Sequence, residues 1–410
     1  MRYLKFLVLL LFAAVLVLPF TNTSSVEGQA ITDAPATDMD ARTDDLFNGN
    51  GTVADFEAAE EEFAGVEGIA DGLGPTYNAQ SCRECHQNPD TGAGSQIGEF
   101  RAGHLVGTTF VDAPGGSLIN DRAIDSDIQE RVSSNDPVRT FRVSISTLGD
   151  GFVEAIANTT LQNNVAAQPA GLRGTLINVD VFEAPGQTRI GRFGWKDQQA
   201  SLLSFSADAY LNEMGITSNF AQTDQENTSN GVSVAAFDNC GAGCVDPEDP
   251  DNEDIGLFTT FMRGLRVPGR GPINSQVTTG ESLFNALDCD ICHTPTFVTA
   301  APGTLINGGA ATVAAALGNK RIHPYSDFAL HDVGTGDGIV QNGGQGTRNQ
   351  VRTSALWGVR ARIRLMHDGE SLTVNDAILR HGGQALTIRN NYNNLSTASK
   401  QAVIAFVLSL

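Results

Sequence analysis

Basic residues are scarce in this chain. Lysine and arginine number 26 against 47 aspartates and glutamates over 410 residues, a formal net charge of −21. Nucleic-acid backbones are held by clustered cations, so this balance excludes a nucleic-acid partner. It also argues against docking on an anionic membrane, and leaves an acidic exterior that aids solubility or steers a basic partner. Cysteine is scarce too: six residues are too few for a disulfide-built scaffold. Long apolar runs are missing but for one, "FLVLLLFAAVLVLPF" from Phe6 to Phe20. With Arg2 and Lys5 before it and a small-residue site ending at Ala30, it reads as an export signal over 1–30, an uncleaved anchor being the rival. The body of the chain is then expected in the periplasm or otherwise exported, without stable membrane insertion after signal removal. The remainder, 41% hydrophobic and 18% charged, is ordinary globular composition for more than one domain.

Four of the six cysteines are organised. "SCRECHQNPD" holds Cys82, Cys85 and His86, and "LDCDICHTPT" holds Cys289, Cys292 and His293 at the same spacing. Chance does not supply two C-x-x-C-H units from so few cysteines and histidines. Zinc would want two such pairs close enough to share one ion, and a thioredoxin-like redox pair has no use for the trailing histidine. Covalent c-type haem needs this arrangement: two thiols one helical turn apart for the two vinyl groups, then a histidine for the iron. Two covalently attached haems follow, with His86 and His293 as iron ligands. The remaining pair, Cys240 and Cys244 in "NCGAGC", is expected as a local disulfide in an exported chain, a free reactive pair being the alternative.

The two haem units head two similar texts. Each is followed after a gap of 56 or 59 residues by Arg-x-Ser (Arg142 and Ser144; Arg352 and Ser354), then by Asp-Gly and an acidic-Ala-Ile ending. This reads as a duplicated haem domain. "VADFEAAEEEFAGVEG", "DQQASLLSFSADAYLNEMG" and "DIGLFTTFMRGLRVPGRG" have helical apolar spacing, and "STASKQAVIAFVLSL" closes the chain with a stripe of Val403, Phe406, Val407 and Leu410. No strand-rich block stands out. The expected fold is mainly α, two cytochrome-c-like haem domains in tandem with long irregular loops: a polar linker over 31–60, the first haem domain over 61–235, a linker with the Cys240–Cys244 pair over 236–275, and the second haem domain over 276–410.

The ligand opposite each proximal histidine separates an electron relay from a catalytic iron. His381 follows the acidic-Ala-Ile element of the second half, where the first half has Thr159, so His381 is expected to cap the second iron while the first lacks that ligand. Met366 competes for the second iron. His104 could fold over the first haem, or be a surface loop histidine. His331 and His367 read as partners of ligands or propionates, and His323 as structural. Glu154 is the candidate base for peroxide, with Arg142 stabilising separating charge. Trp195 lies between the halves, as an electronic bridge or a packing residue.

"GLGPTYNAQSCRECH", "IGRFGWKDQQASL", "HPYSDFALHDVG", "RTSALWGV" and "HDGESLTVNDAILRHGG" together resemble the bacterial di-haem oxidoreductases, the group that carries peroxidase and thiol-oxidoreductase labels. The resemblance runs from about Leu73 to Leu410, with a remoter likeness to di-haem cytochrome c peroxidases and the related methylamine-utilisation enzyme. It implies peroxide chemistry at the N-terminal haem and electron entry at the C-terminal one, from a small redox protein. It also implies a distal ligand at His381, commonly Met in the peroxidases, and a displaceable distal histidine for which His104 is the candidate. Hydrogen peroxide or another small oxidant is the expected substrate. A pure electron-transfer cytochrome and oxidation of a protein or organic substrate by a high-valent iron are the alternatives, and a calcium ion is left open.

Overall fold

The computed structural model describes residues 30–40, 45–221, 233–234, 236–238 and 247–410. The export signal and the Cys240–Cys244 pair lie outside the described residues, Ala30 excepted. Among the described residues no helix is long and apolar enough to cross a membrane.

Two helix pairs frame the molecule, and each crosses at a glycine. Helix α1 (Val53–Ala64) starts at Thr52, whose side chain accepts from Asp55 N, and buries Phe56, Ala59 and Phe63. Among the described residues, four α-helices follow it in the chain: α2 (Cys82–Cys85), α3 (Asp150–Glu154), α4 (Asn158–Ala167) and α5 (Leu202–Ala209), the last running on into a π-helical turn at Tyr210–Met214. Helix α6 (Glu253–Gly264) then returns to pack on α1. A Cβ at Gly264 would sit 2.5 Å from the Phe56 ring, so only glycine lets the two helices close. The second pair repeats the device. Helix α7 (Ser275–Ala286), capped by Asn274, buries Val277, Gly280 and Phe284. After α8 (Val374–Arg380) and α9 (Leu386–Asn393), helix α10 (Thr397–Val407) packs on α7. A Cβ at Gly280 would lie 1.9 Å from the Ala402 carbonyl oxygen. The stripe Val403, Phe406, Val407 and Leu410 is buried, as its spacing requires.

The mainly α expectation is corrected. Helix accounts for 32% and strand for 17%, a mixed composition. The largest sheet is antiparallel: β1 (Gly98–Val106) pairs along one edge with β4 (Val138–Val143) and along the other with β2 (Thr109–Asp112) and β3 (Leu118–Ile119). Its strands escape the alternation test because β1 turns Glu99 and Arg101 toward a cavity, and polar residues at inward positions blur the period. The segment 236–275, expected as a linker, supplies α6 to the first helix pair. The segment 31–60, expected as a polar linker, is pinned by parallel bridges of 32–33 to 320–321 and of 36–37 to 267–268, and α1 begins inside it.

Candidate functional site

Both C-x-x-C-H units close a short helical turn and open onto a cavity. His86 N donates to the Cys82 carbonyl at 3.1 Å, and His293 N to the Cys289 carbonyl at 3.0 Å, which sets each histidine one turn past its first cysteine. Each imidazole meets a phenylalanine of the preceding framework helix: Phe63 and His86 at 6.2 Å between centroids, Phe284 and His293 at 6.0 Å. The first cavity, lined by Cys82, Cys85 and His86, encloses about 1580 Å³, and the second, lined by Cys289, Cys292 and His293, about 1380 Å³. Both figures include space open to solvent.

The second cavity has a histidine on each side. The rings of His293 and His381 stand 6.5 Å apart between centroids. Two imidazoles that share one first-row metal at about 2.0 Å each have centres a little over 6 Å apart, so the gap is one iron wide. Each ring is oriented by its other nitrogen: His293 Nδ1 donates to the Tyr325 carbonyl at 3.0 Å, and His381 Nδ1 to the Ala377 carbonyl at 2.8 Å. That leaves both Nε2 atoms free to face each other. Burial, with His381 nearby, pushes His293 down to about 4, and burial lowers His381 too, so both rings are neutral donors. Met366 and His367 also line this cavity.

The first cavity lacks that counterpart. Burial pushes His86 down to about 4, and no other histidine lines the space. His104, the expected candidate, is on β1 with Nδ1 on Asp136 at 2.9 Å, and it does not line the cavity. Met214 and Met262 do line it, and so does a cluster of charges from distant elements: Glu99, Arg101, Arg142, Asp208 and Glu213. Arg101 Nε donates to Glu99 at 2.6 Å. Burial raises Glu99, but Arg101 outweighs it and holds the group low. Glu213 goes the other way, raised by burial and by the Glu99 charge against it. Burial also pushes Asp208 up to about 6. Glu213 thus keeps its proton at neutral pH beside the fixed carboxylate of Glu99, while Asp208 releases its own just below neutrality.

Glu154, the expected base, lies elsewhere. It is buried, receives Arg263 Nε at 2.6 Å, Asn307 Nδ2 at 3.0 Å and Leu202 N at 2.9 Å, and does not line either cavity. Burial raises it, but the Arg263 charge and hydrogen bonds overcome this and hold it at about 2. A carboxylate so saturated is a structural anion. Arg142 does reach the first cavity, bound by Asp337 at 2.7 Å and by Gln341 at 2.7 Å. Trp195 and Arg352 line both cavities. The indole donates to the Val143 carbonyl at 2.8 Å and meets the His367 ring at 6.1 Å.

The chemistry of the thiols suits haem rather than zinc. Burial, chiefly, pushes Cys82, Cys85 and Cys289 up to about 12, so all three are neutral thiols beside largely apolar space. The two pairs line separate cavities and cannot share an ion. Among the described residues the one group of three metal-type ligands is Cys292, Asp327 and His331. Burial lowers His331, but its hydrogen bonds to Asp327, at 2.8 Å, and Cys292 raise it to about 10, which makes it an imidazolium partner of Asp327. That trio is not the oxygen cage calcium takes.

The family description "Di-haem oxidoreductase, putative peroxidase" matches residues 117–410. A comparison with curated protein sequences returned no match. Similar solved structures include a MauG-like protein associated with microbial copper homeostasis, at 13% identity and TM-score 0.41, covering 97% of this chain and 95% of that one. A variant of the diheme peroxidase BthA from Burkholderia thailandensis stands at 14% identity and TM-score 0.39, covering 93% and 90%. Kuenenia stuttgartiensis hydrazine synthase stands at 13% identity and TM-score 0.38, covering 98% and 99%.

Proposed function

The chain belongs to the di-haem oxidoreductase family, and from that membership we propose an exported enzyme that reduces peroxide at its first cavity with electrons entering through the second. The observation that carries the reading is the asymmetry of the cavities: paired histidines in the second, and one histidine with a proton-holding charge cluster in the first. A haem at each site would supply a redox iron, which His293 and His381 would hold at the second cavity and His86 at the first.

The chain's own parts divide the work. Cys82 and Cys85, and Cys289 and Cys292, attach the two haems; His86, His293 and His381 are the iron ligands. Reduction of peroxide to two waters takes up two electrons and two protons. Glu213 carries a proton into the first cavity, Asp208 accepts and returns one near neutrality, and Arg101 and Arg142 hold the charge that separates as the O–O bond breaks. Trp195, in the wall of both cavities, fills the space between the sites with an aromatic ring and orients it through Val143. A small redox protein supplies the electrons. Met214 and Met262 favour a second reading, in which either closes the first iron and the protein only transfers electrons. Peroxide turnover decides: holoprotein reduced by a small redox donor consumes peroxide at two electrons per molecule, and complete inertness would overturn the enzyme reading.

A further inference from the structure

The arginines of the two cavities differ in one respect. Those that reach the first cavity are countered by acids: Arg101 by Glu99 at 2.6 Å, Arg142 by Asp337 at 2.7 Å, and the shared Arg352 by Asp197 at 3.7 Å. The two that line only the second cavity are Arg362 and Arg389, and no carboxylate of the described residues pairs with either. Arg362 donates to the Ser144 carbonyl at 2.9 Å. Burial pushes its pKa down to about 10, which marks a cation short of a counter-charge. Arg389 donates Nη1 to the Leu379 carbonyl at 3.1 Å, while its buried Nε has no partner. His367 Nδ1, also in this wall, is a second buried nitrogen without a partner.

Unpaired cations and unmet donors in an interior wall are costly, and a protein keeps them where an anion arrives. A haem carries two propionate carboxylates, and two guanidiniums with no carboxylate partner among the described residues stand in the wall. We propose that Arg362 and Arg389 receive the propionates of the second-site haem. The inference rests on the two-haem reading above. Guanidinium suits the role because its planar fork matches a carboxylate and stays charged when buried. Arg362 adds a connection: Ser144, which takes its hydrogen bond, lines the first cavity and donates Oγ to the Cys85 carbonyl at 2.7 Å. A charge held at the second haem's edge is thereby tied to the backbone of the first attachment site.

The test uses holoprotein carrying Arg362→Gln, Arg389→Gln or Arg362→Lys, with haem counted by intact mass. Glutamine at 362 retains an N–H for Ser144 but loses the charge. Resonance Raman bands of propionate bending at the six-coordinate haem, and its midpoint potential, are then measured. Both glutamine variants should keep two haems, shift the bending bands and lower the potential of that haem, and lysine should restore most of the potential. Unchanged bands and potential in both glutamine variants, with two haems present, would overturn the assignment while leaving the two-haem reading intact. A single haem by mass would overturn both.

Discussion

Arg142, in the first half of the chain, closes on Asp337 in the second, with Nη2 and Oδ2 at 2.7 Å. The exchange is reciprocal: Arg352 of the second half stands 3.7 Å from Asp197 of the first. The repeated Arg-x-Ser element thus sits in the wall of its own cavity and takes a counter-charge from the other half, Arg142 having Glu99 of its own half at 3.8 Å as well. Lys196 approaches Asp337 at 3.5 Å, and Trp195 next to it lines both cavities. The two sites are held in one register by buried ion pairs.

Replacing Asp337 by Asn should therefore be severe. It leaves the buried Arg142 and Lys196 without their carboxylate, a loss of roughly 3–5 kcal/mol where one partner of a buried pair is removed. A large fall in the midpoint of thermal unfolding is expected, and a midpoint within a degree of the parent would contradict the role given to this pair.

Glu154 tests a structural anion against a catalytic one. Its folded pKa of about 2 lies below the ordinary 4.5 of a glutamate, so its ion pair contributes stability above the ordinary carboxylate range. That contribution is lost as the pH falls from about 4.5 toward 2. Glu154→Gln should cost roughly 3–5 kcal/mol at neutral pH and flatten the acid limb of the stability profile. Peroxide turnover per folded molecule should be retained; a hundredfold fall would return Glu154 to the catalytic apparatus.

Glu213 makes the opposite prediction. Its carboxyl is raised by burial and by Glu99, so the folded chain keeps a proton that the unfolded chain releases. Stability therefore falls as the pH rises from the ordinary carboxylate range through the raised pKa, and the supply of protons for turnover falls with it. Glu213→Gln should lower kcat by roughly 10²–10⁴-fold, the usual scale for a proton donor, and remove the alkaline limb of the rate profile. A profile unchanged in height and shape would exclude the group.

Gly280 tests the repeated helix crossing. An added methyl would meet the Ala402 carbonyl at 1.9 Å, so α7 and α10 must move apart in Gly280→Ala. A loss of roughly 1–3 kcal/mol is expected from overpacking, read by denaturant titration of the holoprotein. No loss would mean that the crossing is looser than the packing implies.

What could be read from the sequence was local. Two cysteines and a histidine within one turn are a purely local signal, and the stripe from Val403 to Leu410 records one buried face. His381 is singled out in the sequence because its place is defined against the duplicate, and in the structure its ring stands 6.5 Å from that of His293. What escaped depends on partners far along the chain. Glu154 looked catalytic until Arg263, 109 residues away, arrived to neutralise it. His104 looked free to fold over a haem, yet it lies on a strand and bonds Asp136. The proton-holding cluster joins Glu99 and Arg101 on β1 to Asp208 and Glu213 more than a hundred residues later, and no spacing rule connects them. Arg362 and Arg389 are ordinary surface candidates in sequence, and only the cavity wall gives them a common task.

Electron paramagnetic resonance of the resting ferric protein is the most direct test of the asymmetry between the sites. One low-spin signal from the site of His293 and His381, beside one high-spin signal from the site of His86, is the predicted spectrum. His381→Gly should convert the low-spin signal to high-spin and leave the other unchanged. Two low-spin signals that persist in the half-reduced protein would contradict the account.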